Sequence, residues 1–164
     1  MKVRRLRILA GPNGSGKSSV YSKLKQTKDF HWGIFVNADE MEKLFRENGG
    51  LDVRQYGVDD FPWEVFKREY QPFYVATSSP DINIGRVAAR VRNGGHNVPA
   101  NKIRSRYVRS LNNLRDAVRL SDRAYIFDNS TSAYKWIAEY DARTGDLALR
   151  TDEVPTWVVR YLLQ

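Results

Sequence analysis

The sequence predicts an α/β fold of three layers, with a mainly parallel sheet between helices and a β-hairpin near the C-terminal end. Three observations predict this class. Short apolar runs alternate with segments of helical spacing, a glycine-rich turn follows the first run, and two apolar runs flank a turn near the end of the chain. Strands covered on both faces form continuous apolar runs, and helices between them make neighbouring strands parallel.

The first fifty residues predict two strands and two helices. Residues 6–10 form a short apolar run that stops at a glycine, which is typical of a buried strand. Residues 17–25 have apolar side chains one helical turn apart, and we expect a helix there. Residues 34–36 predict a second buried strand. Residues 41–45 predict a short helix that ends at the Asn-Gly-Gly sequence of residues 48–50, which suits a left-handed cap.

The middle of the chain predicts three more helices and two more strands. Aromatic side chains at helical spacing indicate a helix over about 60–70, and residues 73–77 form the third strand. Residues 79–92 predict a helix that begins at Ser-Pro-Asp, and residues 124–127 predict the fourth strand. Between these two lies a long helix after Pro99. At about 100° per residue its core-facing side chains fall within about 80° of one another, and they are Ile103, Tyr107, Leu111, Leu114 and Val118.

The end of the chain predicts a hairpin. Residues 136–138 and 147–149 flank the sequence Arg-Thr-Gly-Asp, so we expect a β-hairpin over about 133–151, attached to the sheet as an appendage. No repeat, low-complexity tract or linker divides the chain. We therefore expect residues 1–164 to form a single domain, with a lid over about 86–109.

Composition excludes several classes of protein. The 164 residues include no cysteine, which excludes disulfide scaffolds, thiolate metal sites and cysteine nucleophiles and suits a reducing cytoplasm. Two histidines, His31 and His96, are too few for a histidine-rich metal centre. No apolar run approaches the roughly 20 residues of a membrane span, so we expect no membrane partner. The excess of 27 basic over 19 acidic residues gives a net charge of +8. Such a charge attracts nucleic acid, phosphorylated metabolites or acidic membrane surfaces, or it only makes the surface soluble, and charge alone does not separate these.

The strongest motif directly follows the first predicted strand, where residues 11–18 fit G-x-x-x-x-G-K-[ST] at every fixed position. Glycines let backbone N–H groups turn toward phosphate oxygens, and the following helix directs its positive end at the same anion. Lys17 can reach the β- and γ-phosphates, and Ser18 can place its hydroxyl on Mg²⁺. The alternative is a glycine-rich turn that binds nothing. The candidate nucleotide-binding residues are Gly11, Pro12, Asn13, Gly14, Ser15, Gly16, Lys17, Ser18 and Ser19.

Acidic residues follow two of the predicted strands. Asp39 comes after the second strand, at the edge of the sheet where ligands bind in doubly wound folds. It can accept a proton from a hydroxyl that attacks the γ-phosphate, or it can cap the helix that begins at Glu40. Asp128 comes after the fourth strand and can either support Mg²⁺ or end that strand.

Two helices rich in basic residues are joined by a Gly-Gly-His loop. The first carries Arg86, Arg90 and Arg92, and the second carries a basic row opposite its core face, formed by Lys102, Arg106 and Arg109. Three interpretations stay open. The pair can be a lid that sets guanidinium groups against a transferred phosphoryl group, a solvated basic face, or a nucleic-acid surface.

Several motifs together resemble the zeta toxin-type P-loop kinases, and most closely the bacterial branch described as predicted ABC-type ATPases or kinases. Besides the phosphate loop they include Val-Asn-Ala-Asp-Glu at 36–40, G-G-H-x-V-P at 94–99 and Asp-Asn-Ser at 128–130. The resemblance covers about residues 5–50 and 72–164.

The resemblance implies a P-loop kinase fold and transfer of the γ-phosphate of ATP to a hydroxyl of a small molecule. In the toxins that molecule is UDP-N-acetylglucosamine. The resemblance also implies that Lys17 and Ser18 handle phosphate and Mg²⁺ and that Asp39 is the base. Arg90 and Arg106 are then the lid arginines. It further suggests an antitoxin protein as a partner.

One segment departs from the family pattern. Similar proteins carry a further helix and strand before the strand equivalent to residues 73–77, ending in a Phe-Glu-Thr type motif that contacts the acceptor. Residues 51–71 contain no such motif, so we expect the sheet to lack one usual strand.

The missing segment and the basic charge leave two alternatives to a kinase. One is a nucleotide-binding module with at most weak ATPase activity, and the other is a basic nucleic-acid-binding ATPase.

Overall fold

The computed structural model describes residues 4–27, 30, 32–33, 47 and 68–164. By its contacts the chain divides into two compact units, a main unit of residues 1–23 and 68–164 and a second unit of residues 24–67. In the second unit the indole N–H of Trp32 donates to the carbonyl of Leu24 at 3.4 Å, and the rings of Phe30 and Trp32 lie 6.0 Å apart.

Several predicted elements lie outside the described residues. They are the strand over 34–36, the helix over 41–45 with its cap, and the first part of the helix over about 60–70.

A five-stranded sheet forms the centre of the main unit. Its strands, in their spatial order, are β1 (Arg4–Ala10), β2 (Arg68–Ala76), β3 (Arg123–Asp128), β4 (Lys135–Asp141) and β5 (Asp146–Leu149). β2 is parallel to β1 and β3, whereas β4 is antiparallel to β3 and β5. The fold is therefore α/β with an open mixed sheet, and this part of the chain does not confirm a mainly parallel one.

β1 and β2 confirm the strands expected over 6–10 and 73–77, with two corrections. The helix prediction over about 60–70 is wrong at its end, because residues 68–70 belong to β2 and Tyr70 pairs with Leu6. Ladder hydrogen bonds to β1 hold this backbone extended despite the helical spacing of its aromatic residues. β1 is also less buried than expected, since Ile8 is 38% exposed.

The predicted hairpin is confirmed, but its description as an appendage is wrong. β4 pairs with β3 along its length, from Asp141 opposite Arg123 to Lys135 opposite Asp128. Trp136 explains the attachment, because its ring lies 5.8–6.0 Å from two aromatic rings of β3. Aromatic cross-strand contacts of this kind stabilise sheet pairing.

The helices of the main unit are α1 (Lys17–Leu24), α2 (Pro80–Arg92), α3 (Ala100–Asn112), α4 (Leu114–Arg119) and α5 (Thr156–Val158), which continues as a π-helical turn (Val159–Leu163). The predictions over 17–25 and 79–92 are confirmed by α1 and α2. Ser79 caps α2, because its hydroxyl accepts a hydrogen bond from the N–H of Asp81 at 3.1 Å. None of the helices in the described ranges is long and apolar enough to cross a membrane.

The long helix predicted after Pro99 is two helices, and this is a further correction. Asn113 interrupts the helical pattern between α3 and α4. Asn113 has φ −84° and ψ −5°, and its side chain makes no capping hydrogen bond, so the interruption is confined to this one residue. The predicted core face nevertheless continues through both helices, because all five of its side chains are buried: Ile103, Tyr107, Leu111, Leu114 and Val118.

The main hydrophobic core lies between the sheet and these helices. Tyr74 and Ile126 contribute from the central strands, and Ile137 contributes from β4. Leu111 packs there from α3, and Trp157 packs there from α5. The opposite face of the strands carries a row of stacked rings, in which Phe73, Tyr125 and Phe127 are also buried. Both faces of β2 and β3 are therefore covered, as the apolar runs predicted.

The core assignment predicts a contrast between two leucine substitutions. Leu111→Ala should lower the free energy of unfolding by about 3 kcal/mol, because Leu111 is fully buried and its truncation leaves a cavity. Leu120→Ala is the matched control, since Leu120 is 80% exposed and should change stability by less than about 0.5 kcal/mol. Urea denaturation followed by circular dichroism measures both values. Equal losses in the two variants would contradict the assignment.

Candidate functional site

The glycine-rich loop connects the end of β1 to the start of α1, as the motif requires. Two of its glycines lie against neighbouring strand ends. Gly11 has φ +130°, and a side chain there would overlap the carbonyl oxygen of Val75 in β2. Gly16 has φ +85°, and a side chain there would overlap the carboxamide nitrogen of Asn129 after β3. Both positions therefore require glycine for two reasons, backbone conformation and space.

The Lys17 ammonium group lies over this loop. Its Nζ donates hydrogen bonds to the carbonyl oxygens of Gly11 at 3.0 Å and Pro12 at 3.1 Å. Lys17 is also the first residue of α1, so its charge adds to the positive end of the helix. A phosphate group that enters the loop would therefore meet a positioned cation together with backbone N–H groups.

The serines of the motif divide into two kinds. Ser18 and Ser19 lie in the first turn of α1 and are exposed. Ser15 is buried, and its Oγ has no hydrogen-bond partner among the described residues. Among the described residues there is no group of three or more acidic or histidine side chains that could hold a metal ion.

A buried polar cluster lies at the end of β2, where the chain turns into α2. The hydroxyl of Thr77 donates to the Oδ1 of Asn83 at 2.6 Å, and the phenol of Tyr107 donates to the carbonyl of Thr77 at 2.6 Å. Burial raises the pKa of Tyr107 to about 12, so the phenol keeps its proton. The Nδ2 of Asn83 is buried without a partner in the described structure, and the Asn83 backbone lies against Gly14. Buried polar atoms without a hydrogen-bond partner are rare in folded proteins.

Asp128, the last residue of β3, and Asn129 after it are also buried. The Asp128 carboxylate accepts hydrogen bonds from the N–H of Ser130 at 2.9 Å, from the Ser130 hydroxyl at 3.0 Å and from the indole N–H of Trp157 at 2.7 Å. Of the two roles expected for Asp128, this geometry favours the end of the strand over a metal ligand. The contact with Trp157 also attaches α5 to the strand end.

A cleft of about 220 Å³ adjoins the loop, between α1 and the segment that connects β3 to β4. Lys23 lines one side, with its Nζ 3.4 Å from the carbonyl of Ser132 and 5.9 Å from the centre of the Tyr134 ring. Arg86 and Asn129 line the side nearest the loop. The cleft therefore combines an aromatic ring with two cations beside the candidate phosphate site.

The structure brings Arg86 to the loop, whereas the sequence pointed to Arg90 and Arg106. Arg86 approaches the Ser15 carbonyl with its Nη1 at 3.5 Å. Arg90 donates to the carbonyl of His96 at 2.8 Å and so braces the loop between α2 and α3. Arg106 is exposed on α3 in the basic row predicted there. Asp39, the candidate base, and His31 lie outside the described residues.

Arg86, Asn83 and Asn129 lie near the loop but are not among the candidate site residues that the motifs indicate. Arg86 and Asn129 were visible only as members of the Arg-rich helix and of the Asp-Asn-Ser motif. Asn83 carries no local signal in the sequence.

Comparisons of the chain with protein-family models, with curated proteins and with solved structures found no match.

The contact between Gly16 and Asn129 predicts a specific loss of stability. Gly16→Ala should destabilise the protein by more than Gly94→Ala, although both residues have φ near +80°. Alanine at position 94 costs about 1–2 kcal/mol for its backbone conformation alone, because nothing lies within 4 Å. Alanine at position 16 adds the overlap with Asn129. Urea denaturation measures both losses.

A second substitution tests the origin of the difference. In Gly16→Ala combined with Asn129→Ala the overlapping group is gone, and part of the additional loss should be recovered. Equal losses for the two single variants, or a double variant whose losses simply add, would show that Asn129 does not restrict position 16.

Proposed function

We propose that the protein is an ATP-dependent phosphotransferase, which transfers the γ-phosphate of ATP to a hydroxyl of a small molecule. The position of Lys17 carries this proposal. Its ammonium group is held over a glycine loop by two carbonyls, between a strand end and the start of a helix. This arrangement suits a nucleotide triphosphate better than a single phosphate, because the loop and the lysine present several donors to one extended anion.

The residues that would hold Mg·ATP fit its chemistry. The loop N–H groups and Lys17 would bind the phosphates, and the hydroxyl of the exposed residue Ser18 would serve as a magnesium ligand. Bound ATP would supply the transferred phosphoryl group. Asp39 would take the proton from the acceptor hydroxyl as that oxygen bonds to phosphorus and ADP leaves. The resemblance assigns Arg90 and Arg106 to stabilise the charge that develops on the phosphoryl oxygens, whereas Arg86 is the arginine that lies beside the loop.

The charge distribution supports an anionic acceptor. Residues 80–119 contain nine of the 27 basic residues but only two of the 19 acidic ones, so α2, α3 and α4 hold most of the excess positive charge. A UDP-sugar, the acceptor class that the resemblance implies, carries two phosphates that this surface would attract. A basic nucleic-acid-binding ATPase is the second candidate, because the same surface suits a polyanion.

Nucleotide binding should depend on Lys17. Mg·ATP at a hundredfold excess over Kd should stabilise the parent protein by about 2.7 kcal/mol, since a ligand of the folded state shifts the unfolding equilibrium. Lys17→Ala should show no such shift. Lys25→Ala is the matched control, because Lys25 is an exposed lysine just beyond α1 and should respond like the parent. A thermal-shift titration measures all three, and an equal shift in the parent and Lys17→Ala would contradict the proposed site.

Phosphoryl transfer should depend on Asp39 separately from binding. Asp39→Asn should keep the Mg·ATP thermal shift but lower the rate of transfer by about 10²–10⁴-fold, the usual contribution of a general base. ADP release with and without UDP-N-acetylglucosamine measures the rate. Glu40→Gln, which removes the neighbouring carboxylate, should transfer at the parent rate. Parent-like turnover by Asp39→Asn would show that another group is the base, and parent binding without turnover would favour a nucleotide-binding module.

A further inference from the structure

Asn129 is held at two points that belong to different parts of the site. Its backbone N–H donates to the carbonyl of Ala76 at the end of β2, at 2.8 Å. Its side-chain Nδ2 donates to the carbonyl of Ser15 in the glycine loop, at 2.9 Å. Asn129 is only 8% exposed, so water competes little for either bond. A carbonyl partner requires the amide nitrogen of the carboxamide on this side, which fixes its orientation.

The bond to Ser15 determines the direction of the next amide group. The peptide between Ser15 and Gly16 is trans, as are all the described peptides, so its C=O and N–H point in opposite directions. A donor that holds the Ser15 carbonyl toward the end of β3 therefore turns the Gly16 N–H away from β3. Gly16 immediately precedes Lys17, and its N–H is one of the groups that a phosphate in this loop would meet.

Arg86 approaches the same carbonyl but holds it less firmly. Its Nη1 lies 3.5 Å from the Ser15 oxygen, at the limit of a hydrogen bond, while its Nη2 donates to the carbonyl of Thr131 at 3.2 Å. Asn129 is thus the closer and more buried donor to Ser15. A side chain on Gly16 would overlap the Asn129 carboxamide, so the two residues lie in close contact.

We propose that Asn129 is a positioning residue of the phosphate site, which holds the Ser15–Gly16 peptide so that the Gly16 N–H faces the phosphate. The identity of the ligand rests on the proposed function, whereas the positioning of the peptide rests on the contacts of Asn129 described above. In this role Asn129 acts through the Ser15–Gly16 peptide and not through contact with the phosphate. Its contribution is preorganisation, since a peptide that is already oriented loses less freedom when the anion binds.

The test observes this peptide directly. The chain contains one Ser-Gly dipeptide, at residues 15–16, so protein labelled with ¹³C-carbonyl serine and ¹⁵N-glycine gives a single coupled resonance for that bond. The variants are Asn129→Ala and Asn129→Leu, which remove the donor without adding charge, and leucine also keeps the branched shape of the side chain. Both keep the backbone bond to Ala76. Asn112→Ala is the matched control, because Asn112 is exposed at the end of α3.

Without ligand, both Asn129 variants should shift the Ser15 carbonyl and Gly16 amide resonances, while Asn112→Ala should leave them in place. With inorganic triphosphate as the probe, titration should give a Kd about tenfold higher in both Asn129 variants, as expected for one lost oriented donor. Asn112→Ala should bind like the parent. A merely structural role for Asn129 would lower the melting temperature without moving either readout in the folded protein.

The outcomes separate this inference from the proposed function. Unchanged resonances of the Ser15–Gly16 bond in both Asn129 variants would overturn the positioning role. Parent-like triphosphate affinity in both variants would overturn it as well. A parent protein that binds no triphosphate would contradict the proposed function, and the ligand-free resonances would still decide whether Asn129 holds the peptide.

Discussion

The close approach of the glycine loop to the ends of β2 and β3 is the constraint on which the candidate site depends. Gly11 lies against the backbone of Val75, and Gly16 lies against the carboxamide of Asn129, with no room for a side chain in either place. Parallel strands bring their carboxyl ends to one edge of a sheet, and ligands of open α/β sheets bind at that edge. The loop therefore takes its shape from its own glycines and from two strands that are distant in sequence.

Polar contacts at the strand ends keep this edge in place. The Asp128 carboxylate accepts hydrogen bonds from the N–H of Ser130 and from the indole of Trp157. These bonds fix the backbone at the end of β3, directly before Asn129. Asn129 then bonds to Ala76 on one side and to Ser15 on the other. The bonds from Trp157 to Asp128 and from Asn129 to Ser15 are buried, where an unpaired polar group costs more than at the surface. Together these contacts join α5, both strands and the loop. The C-terminal part of the chain thus supports a motif near its beginning.

The sequence predicted the elements whose signal is local. The strand over 73–77, the capped helix from residue 79, the core face of α3 and α4 and the hairpin were read from periodicity, capping residues and turn residues, and the described structure confirms them. The long helix after Pro99 was wrong in its continuity, since it is interrupted at Asn113. Two other predictions were wrong because of strand pairing. Residues 68–70 join β2 because β1 lies beside them, and the hairpin extends the sheet because Trp136 packs against the rings of β3. Neither partner is visible within a local window of sequence.

The same division applies to the candidate site. The sequence by itself predicted the candidate phosphate loop with its lysine and its serines, because the motif consists of consecutive residues at a fixed spacing. Only the tertiary structure decided that Asn83, Arg86 and Asn129 surround that loop, since they come from a helix and a strand end about 70 to 115 residues further along the chain. Contacts over such separations depend on strand order and register, which are set by the packing of the whole sheet and not by the residues near any one position.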